Sequence, residues 1–99
     1  MAEVSVFFHP EAEAEFIAAA RYYEGQAPNL GAEFVTAVEA AFEGLVGFPE
    51  KGRPFGSRLR RVLVRGFPYS LIYRAEPARV LIVAVAHVRR RPGYWRARA

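Results

Sequence analysis

The 99-residue sequence has no cysteine and no aspartate, and only two histidines, His9 and His87, which stand near opposite ends of the chain. A thiol nucleophile, a disulfide framework, a zinc cluster and an Asp-built two-metal nuclease site are therefore excluded. Glutamates could still hold a metal, but most fall where the wet faces of helices are expected, so neither a metal nor a cofactor is expected. Long hydrophobic runs are absent too. The longest, Val80 to Ala86, is about a third of what a membrane span needs. No basic segment followed by an apolar one opens the chain. These absences lead to an expectation of a cytoplasmic protein with no membrane partner.

What is present is unevenly distributed. Residues 1–50 carry nine Glu and a single Arg, a net charge of -8, whereas residues 51–99 carry twelve Arg, one Lys and one Glu, a net charge of +12. The total of +4 hides this division. Segregation by sign points to a polyanion or an acidic partner meeting the second half. The length allows one domain, 1–99, which buries only roughly 60–65% of its unfolded surface.

Glu3 to Phe8 alternates and then turns aromatic, as a strand entering the core does. Pro10 suits a first helical turn. Ala12, Phe16, Ala19, Ala20 and Tyr23 then recur at helical spacing, giving an amphipathic helix of roughly four turns. Gly25 to Gly31 reads as a short connection in which Asn29 is a candidate cap. Phe34, Val38, Ala41, Phe42 and Leu45 form the stripe of a second helix that stops at Gly47. So short a loop makes the two helices an antiparallel hairpin. Glu50 to Ser57 reads as an exposed loop. Three strand-like runs follow, Leu59 to Arg65, Tyr69 to Arg74 and Val80 to His87, with turns short enough to make them antiparallel neighbours. Val80 to Ala86 is apolar on both faces and belongs inside the sheet. The expected architecture is α+β: β-α-α-β-β-β, with the hairpin on one face of a small antiparallel sheet.

If the helices cover one sheet face, the other is free for recognition. Arg58, Arg60, Arg61 and Arg65 cluster on one strand, and a concave sheet lined with Arg is a seat for phosphates; the plainer reading is that they solvate an edge strand. The run His87 to Arg98 sets Arg89, Arg90 and Arg91 beside Tyr94 and Trp95, guanidinium groups next to rings able to stack on bases. The two aromatics could instead close the core. His87 could act as an acid or base near neutral pH, or could be a structural histidine. The row of Glu on the helices reads mainly as a solvated face.

Four phrases, EAEAEFIAAARYYE, LGAEFVTAVEAAFEGLVGFPEKGRP, RRVLVRGFPYSLIYR and VLIVAVAHVRRRPGYW, resemble in order and spacing the toxins of the RelE/ParE superfamily of bacterial type II toxin–antitoxin modules. The resemblance covers essentially the whole chain. It implies a compact toxin neutralised by a cognate antitoxin in a hetero-oligomer. The superfamily has two branches. RelE-like toxins cut mRNA in the ribosome without a metal, using basic residues and a Tyr near the C-terminus; ParE-like toxins poison DNA gyrase.

Set against the RelE-like pattern, the sequence keeps Arg61 and Tyr94 but has Leu63, Ser70 and Val88 where basic residues are wanted. Arg65, His87 or Arg90 could substitute, which leaves Arg61, Arg65, His87, Arg90 and Tyr94 as the candidates for a nuclease. The favoured expectation is a ParE-like gyrase poison whose target-binding residues are Arg58, Arg60, Arg61, Arg65, Arg89, Arg90, Arg91, Tyr94 and Trp95. An mRNA interferase acting with the ribosome is the alternative, and a non-toxic nucleic-acid-binding module the second.

Overall fold

The computed structural model describes residues 4–56 and 58–98. The expected strand start at Glu3 and loop end at Ser57 lie outside them. The elements are β1 (Ser5–Phe8), α1 (Pro10–Gln26), α2 (Leu30–Gly47), β2 (Arg53–Pro54), β3 (Arg60–Leu63), β4 (Tyr69–Glu76) and β5 (Arg79–His87), with a closing 3-10 turn at Arg96–Arg98. The α+β class and the element order are as expected, apart from the two-residue β2.

Local chemistry sets the helix ends. His9 caps α1 through Nδ1, which accepts the Glu11 N–H at 3.1 Å, and Pro10 follows in the first turn. Asn29 occupies the cap position of α2 at φ 71° but makes no side-chain cap bond. Glu24, at the end of α1, does that work instead. Its carboxylate accepts the N–H groups of Asn29 and Gly31, both at 3.0 Å, which supplies negative charge where the α2 dipole favours it. A Cβ on Gly31 would stand 2.6 Å from the Ala20 carbonyl oxygen, so glycine permits the close crossing of the two helices.

The sheet order is β1-β5-β4-β3-β2. β3, β4 and β5 are antiparallel neighbours, but β1 pairs with β5 in parallel, with Phe8 opposite Ile82. The helical hairpin is the crossover that lets the chain leave β1 and return in the same direction, and the sheet is therefore mixed. β5 lies inside the sheet and β3 next to the short edge strand, as their residue patterns suggested.

Val80, Ile82 and Val85 of β5 pack under the helices with Phe34, Val38, Leu45, Leu71 and Tyr73. Val83, Ala84 and Ala86 join Leu59, Ile72 and Trp95 on the opposite face. Val83 and Ala84 share a face because the β4–β5 register shifts between Ile72 and Tyr73; an extra residue in one strand reverses the alternation. The second sheet face is thus partly roofed by Phe55 and Trp95, where a free face was expected.

Candidate functional site

The C-terminal run folds back over the sheet. After His87, the Val88 N–H donates to the Pro68 carbonyl at 2.9 Å and the Arg90 N–H to the His87 carbonyl at 3.0 Å. Gly93, at φ 87°, allows the reversal that brings Trp95 onto Phe55, with ring centroids 5.5 Å apart. The result is a narrow cleft of about 80 Å³ on the face away from the helices. Ser70 and Ala86, cross-strand partners, lie along it with Ile72, and Phe55, Val88, Pro92 and Trp95 line it further. Arg61 and Arg90 supply its cations.

Several sequence candidates converge here. Arg61 lies with its guanidinium 5.0 Å above the Phe55 ring, and among the described residues it has no carboxylate partner. Arg90 lies 3.9 Å above the Tyr94 ring and reaches Glu15 at 3.4 Å. His87 borders the cleft, with its ring edge-on to Tyr69 at 5.1 Å and Nδ1 accepting the Arg89 N–H at 3.0 Å. Arg89 and Arg91 stand exposed in the following turn.

Other candidates lie elsewhere. Arg60 pairs with Tyr73 across β3 and β4, on the helix side, and donates to the carbonyls of Glu50 and Gly52 at 3.1 and 2.8 Å. There it ties down the loop before β3, together with the Tyr73 hydroxyl, which accepts the Gly52 N–H and donates to the Pro49 carbonyl. Arg65 lies in the β3–β4 turn, along a groove beside α2. Arg58 is exposed at φ 64° near Arg74, which itself pairs with Glu76 at 2.9 Å. Glu76 also binds Arg79, and the Arg79 hydrogen bond, ahead of the Arg74 one, holds its carboxyl below the usual range.

Tyr94 and Trp95 both turn inward. Trp95 is only 5% exposed. The Tyr94 hydroxyl is buried beside the Glu15 carboxylate without a well-formed hydrogen bond to it. Burial first, and then the Glu15 charge, push its pKa well above that of an ordinary tyrosine, so it keeps its proton.

The residue that the sequence did not single out is Glu15. β1 ends opposite Ile82, leaving the outer edge of β5 unpaired beyond that point. Glu15 Oε1 accepts the Val85 N–H at 3.0 Å, and Arg98 donates to the Val83 carbonyl at 3.2 Å. Arg98 also grips the two Glu15 oxygens at 2.9 and 3.0 Å. This fork continues in side chains the ladder that β1 abandons, and satisfies backbone groups that would otherwise be orphaned. The acidic helix face is mainly solvated, as expected, with Glu15 the exception that anchors the basic tail.

Tyr23, Tyr69 and Tyr73 are raised in pKa like Tyr94, each chiefly by burial. The unfolded chain releases these protons first as pH climbs past about 10, so the stability that they contribute is complete below that pH and lost above it. The melting temperature is expected to hold to about pH 9.5 and then fall. A melting temperature rising between pH 10 and 11 would refute this account of the tyrosines.

Among the described residues no three metal-ligating side chains converge. Residues 6–92 match the family described as ParE toxin of type II toxin-antitoxin system, parDE. The chain belongs to the ParE toxin family. No curated protein matches it by sequence. Among the solved structures, the chromosomal ParDE toxin–antitoxin system from P. aeruginosa contains a similar chain, with a TM-score of 0.75 at 18% identity over 86% of this chain and 96% of that one. At that identity the likeness speaks for the fold. In this ParE-family chain Leu63 and Val88 are exposed and Ser70 is buried.

Proposed function

We propose that this chain is the toxin of a type II toxin–antitoxin pair, that it inhibits DNA gyrase, and that a cognate antitoxin neutralises it in a hetero-oligomer. Membership of the ParE family supports the toxin reading. The observation that carries the choice of target is the chemistry around Arg61. Attack by a ribose 2'-hydroxyl builds charge on a pentavalent phosphate, and that charge must be met by preorganised cations. Leu63, Ser70 and Val88 supply none, and each lost contact costs on the order of 10²- to 10³-fold in rate. The remaining tyrosine candidate, Tyr94, has its hydroxyl buried beside Glu15. His87 and Arg90 border the cleft with Arg61, but Arg90 is stacked on Tyr94 and paired with Glu15; a poison that binds an enzyme needs none of this machinery.

Regulated expression in bacteria, scored by a DNA-damage reporter and by primer extension on a translated mRNA, separates the two activities. The expected outcome is induction of the damage response with mRNA left intact, and loss of that response when a cognate antitoxin is co-expressed. Codon-positioned mRNA cuts without a damage response would show a ribosomal nuclease instead.

A further inference from the structure

The cleft holds aliphatic groups as well as cations. Leu63 is 65% exposed and Val88 55% exposed; Val88 lines the cleft, and Leu63 flanks it as the cross-strand partner of Ser70, which pairs in turn with Ala86. Arg61 and Arg90 stand on the same cleft. A surface built to follow a phosphate chain would carry cations at the two aliphatic positions and open rings for stacking. Here the aliphatics interrupt the cations, and the nearest indole is buried. Exposed aliphatic groups bordered by arginines are instead the composition of a protein-docking patch.

We propose that this cleft docks an acidic segment of the target protein that presents one aliphatic or aromatic side chain. That side chain seats against Ser70 and Ala86 between Leu63 and Val88, and flanking carboxylates meet Arg61 and Arg90. Charge complementarity selects this occupant: Arg61 has no carboxylate partner among the described residues, and Arg90 gives Glu15 only a long contact of 3.4 Å. The inference rests on the gyrase reading and names the surface that gyrase would meet.

The discriminating experiment adds charge. Leu63→Arg with Val88→Arg, made in the full chain, should weaken binding to purified gyrase subunits, measured without DNA, by about tenfold or more. The same variant should bind a labelled single-stranded oligonucleotide more tightly than the parent does, because it gains two phosphate contacts. Leu63→Ser with Val88→Ser should weaken gyrase binding by about threefold and guards against a folding defect in the arginine pair, as does a melting curve for each. Should the serine pair, which leaves the charge unchanged, bind gyrase as tightly as the parent, the docking site is wrong and the patch is a general polyanion surface. Should the parent itself not bind gyrase, the functional reading falls and this occupant with it.

Discussion

Glu15→Ala is expected to destabilise the fold by about 3–5 kcal/mol, the cost of breaking a buried ion pair from one side. For a domain of this size, that lowers the melting temperature by roughly 15–30 °C. Two losses combine. The side chain of Arg98 is only 9% exposed, and its charge is left with only the longer 3.6 Å contact to Glu11, while the Val85 N–H loses its acceptor at the open edge of β5. Glu15→Gln should cost less, since the amide oxygen can still accept from Val85. Removing both charges, in Glu15→Gln with Arg98→Gln, should recover part of the loss, giving a coupling energy above about 1 kcal/mol. Thermal denaturation of Glu15→Gln, Arg98→Gln and the double variant measures this directly. Additive effects would mean that Glu15 and Arg98 do not act as a unit.

Trp95→Ala should cost a similar amount, about 3–5 kcal/mol, because it removes the largest ring of the second core layer. Trp95→Phe, which keeps a ring against Phe55, should cost clearly less. This comparison resolves the two meanings of a C-terminal aromatic that the sequence left open. An indole that met the target would be dispensable to folding, and Trp95→Ala would then melt like the parent while losing potency. Its burial leads us to expect the reverse order: unfolding first, with any loss of activity following from it.

These two residues also show where the sequence was legible and where it was not. The hairpin could be read because Ala12, Phe16, Ala19 and Phe34, Val38, Leu45 repeat at helical spacing, a local property of each segment. β5 could be placed inside the sheet because its run is apolar on both faces. The parallel pairing of β1 could not be read, since its four residues would alternate in the same way in either direction. The bulge at Val83 was equally silent, because valine and alanine suit both faces.

Glu15 left a trace that was available: at i+3 from Ala12 and i-4 from Ala19 it lies on the buried stripe of α1, not opposite it. A carboxylate there needs a partner, and that partner stands at Arg98, far along the chain, where no periodicity points. Arg60 and Arg61 show the same limit on the site. They are neighbours on one strand, and the pleat sends one to the helix side to hold the Gly52 loop and the other to the cleft. Composition alone could count the arginines but not divide them.

The central claim is that this toxin acts by binding gyrase and not by cutting RNA, and the supercoiling reaction of purified gyrase tests it most directly. The protein, added in increasing amounts to gyrase, ATP and relaxed plasmid, should suppress supercoiling and trap cleaved DNA, and the cognate antitoxin should restore the reaction. Supercoiling that proceeds normally at a large excess of folded protein would contradict the claim.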